Sequence, residues 1–208
     1  MNIGCVVMAA GKAERFGSNK LLALLAGRPL LQHVLDALPR GRFARITAVT
    51  SDPAVTILCE RCGVCAVQYE GGLQSETVRL GTEQMEGLDG CLFVQGDQPL
   101  CTARSMERLL DSFFSAPDDV HRLAFDGIPG SPVVFPARLF PDLLALTGER
   151  GGMAAARSAG ARVRLTPAFA AYELLDADTE KALSELEKIC LKKDLNSQEI
   201  SRSAEEKA

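Results

Sequence analysis

The chain is predicted to be an α/β protein. It reads as a three-layer, Rossmann-like sandwich with helices on both faces of a mostly parallel central sheet, and with a small β-hairpin insertion in the second half. Three observations carry this. Short apolar runs alternate with segments of helical period. The links between them are short, as crossover connections require. Two polar clusters, Gly11 to Lys20 and the turn at Asp97, each follow directly on an apolar run, and ligands of such sheets bind at the carboxyl ends of strands.

The elements follow in order. Ile3 to Ala9 is a short apolar run without alternation, the pattern of a strand buried on both faces. After the glycine-containing loop, Pro29 opens a helix through about Leu38, with Leu30, Leu31, Val34, Leu35 and Leu38 on one stripe. Arg45 to Thr50 is the second strand. Asp52 and Pro53 supply an N-cap and a first-turn proline for a helix to about Cys62. Val64 to Gln68 is a strand, Ser75 can cap a helix to about Met85, and Cys91 to Gln95 is a further buried strand. Thr102 caps a helix through about Phe114. "LAFDGIPGSPVVFP" reads as a hairpin or two short strands, Pro136 to Leu146 and Gly152 to Ser158 as helical, and Tyr172 to Leu175 as a short strand. Asp178 or Thr179 caps the last helix, to about Lys188. The domain spans residues 1–190, and residues 191–208 form a polar tail, frayed or disordered.

Composition narrows the function classes. The 208 residues carry a formal net charge of -4, are 47% apolar and 24% charged. That mix belongs to a globular chain with a real core, and its mild acidity argues against binding nucleic-acid backbones. No apolar run reaches the ~20 residues of a membrane helix, and the first residues read as a core strand rather than a signal peptide. The expected compartment is the cytoplasm, with no membrane partner. Seven cysteines, an odd number, argue against a disulfide framework. "CERCGVC" has metal-site spacing at Cys59, Cys62 and Cys65. It lacks a nearby fourth ligand and reads as thiols at a helix–strand junction. His33 reads as a helix-surface residue rather than a base.

Gly11 to Lys20 combines two glycines, Arg15 and Lys20. Glycines let backbone N–H groups approach an anion, and the cations supply charge for a polyphosphate. The loop is neither a G-x-G-x-x-G fingerprint nor a P-loop, since Ala13 and Phe16 replace glycines and Ser18 follows Gly17. On spacing alone it reads equally as a phosphate cradle or as an ordinary turn with solvated charges. In "GDQP", Asp97 ends a buried strand, well placed for a hard cation such as Mg²⁺ or for capping a turn. Asp176 and Asp178 follow another short run.

Together these motifs resemble the MobA-like nucleotidyltransferases. "AAGKAERFGSNKLL" is similar to A-G-x(3)-R-[FM]-G-x(2)-K, and "GRPLLQHVLDAL", "LQSETVRLG", "GDQP", "DGIPGSPVVF", "LTGERGGMAA" and "DADT" follow in the family's order over roughly Ile3 to Leu186. "GDQP", "GIPGSP" and Lys12, where the guanylyltransferases carry a second glycine, resemble the molybdenum cofactor cytidylyltransferases most. The resemblance implies transfer of CMP from CTP to a molybdopterin acceptor, with release of pyrophosphate. A molybdenum hydroxylase apoenzyme is a further implied partner. Arg15, Lys20 and Asp97 would be catalytic. Ala9, Ala10, Gly11, Lys12, Arg15, Lys20, Ser75 and Gly96 would hold the nucleotide, and Asp97 with Asp178 would hold Mg²⁺. Guanylyl transfer, nucleotidyl transfer to a sugar or polyol phosphate, or a non-catalytic cofactor-binding accessory protein are the alternatives. Ser131 stands where the family has histidine, and Glu180 where it has proline.

Overall fold

A computed structural model describes residues 1–10 and 19–205, and side chains as far as Lys192. The centre of the fold is a seven-stranded sheet. In chain order it uses β1 (Ile3–Met8), β4 (Arg45–Thr50), β5 (Cys65–Gln68), β6 (Gly90–Gln95), β7 (Val120–Phe125), β8 (Ile128–Pro136) and β9 (Val163–Pro167). Their spatial order is β5-β4-β1-β6-β8-β7-β9. Only β8 runs against the others: β1 is parallel to β4 and β6, β4 to β5, and β9 to β7, while β8 is antiparallel to β6 and β7. A two-stranded ribbon, β2 (Leu24–Leu25) with β3 (Arg28–Pro29), lies apart.

Burial on both faces explains why β1 reads as an unbroken apolar run. Ile3, Cys5, Val7 and Ala9 point into one core, with α1 (Leu30–Ala37), α2 (Pro53–Arg61), α4 (Ala103–Ser115) and Leu186 of α7 (Glu180–Glu205). Val6, one residue out of step, points into the other core, with α3 (Gln74–Glu83), α5 (Phe140–Leu144) and α6 (Gly152–Ser158). Gly81 lets α3 lie close on β1, since a Cβ there would stand 2.5 Å from the Val6 side chain.

Two expected caps form: Asp52 Oδ1 accepts the Ala54 N–H at 2.8 Å, and Thr102 Oγ1 accepts that of Ser105 at 3.2 Å. The open choice before α7 resolves to Thr179, whose Oγ1 accepts the Ala182 N–H at 3.1 Å. That leaves Asp178 for other work. The expected hairpin is β7–β8, turned by Asp126 and Gly127, both at positive φ as a tight hairpin turn demands, and it is built into the sheet.

The helix expected to open at Pro29 forms as α1, with Pro29 as its N-cap and the last residue of the β2–β3 ribbon; His33 on that helix ties the ribbon down through Nε2 to the Leu25 carbonyl at 2.8 Å. Other expectations are corrected. Ser75 is not a cap. It lies buried in the first turn of α3, while the Glu76 carboxylate accepts the Gly72 and Leu73 N–H groups. β9 was missed because Val163, Arg164 and Leu165 are exposed, as an edge strand permits. Tyr172 to Leu175 is not a strand: Ala171–Leu174 forms a 3-10 turn, wound because Glu173 gathers the Phe169 and Ala170 N–H groups, and Leu175 is its C-cap. The last helix passes Lys188 and continues to Glu205. Cys59 is buried, Cys62 partly so and Cys65 exposed, and no cluster of three or more His, Cys, Asp or Glu among the described residues is arranged to hold a metal.

His121 carries a pH dependence. It is fully buried, with Nδ1 against the Ser112 hydroxyl at 3.0 Å and Nε2 against the Ala116 carbonyl at 3.0 Å, which suits a neutral ring with one donor and one acceptor. Burial, followed by the Arg164 charge among the lowering influences, holds its pKa below the ordinary 6.5 against the hydrogen bond to Ala116. The unfolded chain therefore binds the proton first, so this stability is complete above pH 6.5 and is lost as pH falls towards the folded value. Acidification from neutral should lower Tm by roughly 2–4 °C more in the wild type than in His121→Gln. Parallel Tm curves for the two would contradict the assignment.

Candidate active site

The site is assembled at the carboxyl edge of β1 and β6. Met8 and Gln95 end these strands in register. The chain after Gln95 is held against β1 by the Gly96 N–H on the Met8 carbonyl at 2.9 Å. Gly96 is required there, because a Cβ would stand 2.9 Å from that same backbone oxygen. Asp97 emerges from this turn, and its own carbonyl accepts the Ala177 N–H at 3.0 Å. One backbone hydrogen bond thus joins the "GDQP" and "DADT" segments, which lie 80 residues apart in sequence.

Lys20 is carried on a short 3-10 turn, Lys20–Leu22. Asn19 caps that turn through Oδ1 on the Leu21 N–H, and its Nδ2 donates to Asp52 Oδ2 at 2.7 Å. The Asn19 hydrogen bond, against some burial and together with backbone donors, holds the Asp52 carboxyl below its usual range. Asp52 therefore caps α2 and, through Asn19, anchors the turn that carries Lys20. Lys20 Nζ reaches Asp97 Oδ2 at 2.6 Å and Asp178 Oδ1 at 2.7 Å. Burial pulls the ammonium's pKa down, but Asp97 and the hydrogen bonds to both carboxylates outweigh it and the net direction is up. Lys20 stays a cation.

Around these groups runs a cleft of three adjoining lobes. The first, about 440 Å³, is lined by Ala10, Lys20, Gln74, Thr77, Asp97 and Glu149. The second, also about 440 Å³, shares Gln74, Gln95 and Glu149 with it and adds Arg122, Ser131 and Arg157. The third, about 470 Å³, holds Asp97, Gln98, Arg122, Ser131, Asp176 and Asp178. Burial, then the charges of Asp97 and Asp178, push the Asp176 carboxyl up, against a hydrogen bond from Gln98. Asp97 and Asp178 share one cationic partner in Lys20, and a pair of carboxylates is the donor type a hard divalent cation takes when phosphate oxygens and water supply its other ligands.

Lys20, Asp97 and Asp178 therefore meet, and Ala10 shares a lobe with two of them. Ala9, Gly96 and Ser75 are buried close by. Gly11, Lys12 and Arg15 lie outside the described residues. Sequence reasoning did not single out Gln74, Thr77, Gln95, Glu149, Arg122 or Arg157. Gln95 had a readable signal, the last residue of a buried strand. Arg122 had none, because only strand order places it beside the turn.

The sequence pattern of the MobA-like NTP transferase domain matches residues 5–164. The chain belongs to that family. It is 30% identical over 118 residues to the bifunctional protein GlmU of Burkholderia orbicola, which takes in 54% of this chain and 25% of GlmU. The chain thus spans about a quarter of the length of such curated relatives. Among solved structures, Rv0371c of Mycobacterium tuberculosis superposes with TM-score 0.79 at 22% identity, over 90% of this chain and 99% of that one. CMP:2-keto-3-deoxy-manno-octonic acid synthetase in complex with CTP superposes with TM-score 0.77 at 16% identity, over 93% and 100%. This family member thus has the nucleotidyltransferase fold over nearly its whole length.

Proposed function

We propose that this protein transfers CMP from CTP to a molybdopterin-type acceptor and releases pyrophosphate. The observation that carries the reading is the meeting of Lys20, Asp97 and Asp178 at the carboxyl edge of β1 and β6. An ammonium has three N–H donors, and two are committed to the aspartates, which leaves one for a phosphate oxygen. Lys20 thus couples the donor triphosphate to the carboxylate pair. Gln74 and Thr77, at the start of α3, offer polar groups to the nucleoside end of the same lobe. Arg15, Gly11 and Lys12 complete the triphosphate cradle in this reading.

Asp97 and Asp178 would hold Mg²⁺, which supplies charge to polarise the α-phosphate and steady the departing pyrophosphate. Rv0371c, of the same fold, has been determined in complex with manganese, which supports divalent-metal use. The chemistry asks the protein for position and electrostatics rather than a covalent nucleophile. A CTP complex of a same-fold synthetase supports the choice of base. The reading includes a cytoplasmic location and hand-over to a molybdenum hydroxylase apoenzyme. No helix among the described residues is long and apolar enough to cross a membrane.

Pyrophosphate release across the four ribonucleoside triphosphates, with and without molybdopterin, tests this. CTP with molybdopterin should exceed every other combination by about tenfold or more, a barrier difference of roughly 1.4 kcal/mol. GTP far above CTP would overturn the base, and no release from any nucleotide would overturn the enzyme.

A further inference from the structure

Among the described residues, the second lobe carries more positive than negative side chains. Arg122, Arg150 and Arg157 line it against one carboxylate, Glu149, whose Oε2 is turned to the Gln74 N–H at 3.4 Å. Arg28, Arg42, Arg79, Arg162 and Arg164 all have carboxylate partners, whereas none of the three lobe arginines has one among the described residues. Arg122 is half-buried and donates through Nε to the Gly130 carbonyl at 2.8 Å, which fixes the guanidinium while leaving its terminal nitrogens for a ligand. Burial, and then the Arg157 charge, both disfavour its charged form. An anion between the two would relieve both. The same lobe is also lined by apolar side chains, Met153 and the pair Phe93 and Phe135, which meet edge to face at 5.6 Å.

Arg122 also lines the third lobe, with Asp97, Asp176 and Asp178. It stands at the junction between the acceptor space and the carboxylates. We infer that Arg122 and Arg157 recognise the phosphate of the acceptor, so that this lobe selects a phosphomonoester carried on a ring-bearing body that can lie against an apolar wall. The inference rests on the reading of the cleft as a nucleotidyl-transfer site.

Two guanidiniums favour the dianion of a phosphomonoester, whose second pKa is about 6 when free. The attacking oxygen then carries no proton. It forms the new bond to the α-phosphorus, the bond from that phosphorus to the bridging oxygen of the β-phosphate breaks, and pyrophosphate leaves with the electron pair. No general base is required. Both histidines are engaged elsewhere, His33 on Leu25 and Arg28, and His121 on Ser112 and Ala116.

The test pairs binding with turnover. Phenyl phosphate, a ring with a phosphomonoester, is titrated calorimetrically into the wild type, Arg122→Ala and the exposed-site variant Arg157→Ala, with phenol as the uncharged control. Phenyl phosphate should bind the wild type and lose about tenfold or more in each variant, the scale of one charge-assisted contact. With CTP and molybdopterin, KM for the acceptor should rise by a similar factor while KM for CTP stays put. In Arg122→Ala the acid limb of the rate profile should move to higher pH, because the bound phosphate would keep its proton longer. Arg122→Lys should restore part of the loss. Equal phenyl phosphate affinity in all proteins, no binding to the wild type, or phenol binding as tightly would overturn the inference. If both variants lose phenyl phosphate while no nucleotide is turned over, the anion site stands and the assigned reaction is what fails.

Discussion

Asp97→Asn is expected to lower nucleotidyl turnover by at least about a hundredfold, close to 3 kcal/mol of transition-state stabilisation, with the fold preserved. The substitution removes a charge and little volume. The variant would keep the backbone stitch to Ala177, because that bond uses the main-chain carbonyl. It would lose the anionic oxygen that faces Lys20 Nζ at 2.6 Å, and with it half of the carboxylate pair proposed to hold the metal. Lys20 would then rest on Asp178 alone, whose side chain is 65% exposed and a poor anchor. Steady-state rates measured over a Mg²⁺ titration check this, with thermal melting as the fold control. Turnover within a factor of about three of wild type would remove Asp97 from the chemistry.

The largest expected effect on stability lies at Glu173. This carboxylate is 1% exposed and is the sole glutamate buried to that degree among the described residues. Oε1 accepts the Phe169 and Ala170 N–H groups at 3.1 and 3.2 Å, and Oε2 accepts the Thr102 N–H at 3.2 Å and its hydroxyl at 2.8 Å. One side chain thereby ties the segment after β9 to the start of α4, and through Leu174, Ala177 and Asp97 to the active-site turn. Glu173→Ala would remove the acceptor from three part-buried backbone donors. At about 1 kcal/mol or more for each, the cost is about 3 kcal/mol, or a Tm lower by roughly 6–12 °C for a chain of this size. Glu173→Gln keeps the shape but turns an NH2 towards one pair of donors, so it should recover only part of the loss. Denaturant unfolding gives the free energies, and a cost below about 0.5 kcal/mol for the alanine variant would show that the clamp does not hold the segment.

Much of this architecture was legible in the residues. β1 and β6 are apolar on both faces because both faces are covered, so the lack of alternation in "IGCVVM" and "CLFVQ" announced a central parallel strand. Asp52 with Pro53, and Thr102, declared their helix starts through local hydrogen bonding that needs no tertiary partner. Where sequence reading went astray at two places, a carboxylate had bonded backbone N–H groups three or four residues back, a contact that hydrophobic pattern does not reveal. Glu173 bent its neighbours into a 3-10 turn where local pattern favoured a strand, and Glu76 supplied the capping expected of Ser75. β9, with one buried residue in five, has its place in the sheet from pairing with β7 rather than from its own hydrophobicity.

The candidate site divides the same way. Residue types and their positions after apolar strands marked Lys20, Asp97 and Asp178 one by one, since a cation after a glycine loop and an aspartate after a buried strand are local facts. That the three share a single charge cluster is a property of the sheet order, which sets β1 beside β6 and draws the Ala177 segment onto the Asp97 turn. The same order brings Arg122, unremarkable in its own strand, to the junction of two lobes through the antiparallel passage of β8 between β6 and β7. Local chemistry is written in neighbouring residues. The meeting of charges 158 positions apart, as between Lys20 and Asp178, is decided only when burial of both sheet faces selects one strand order.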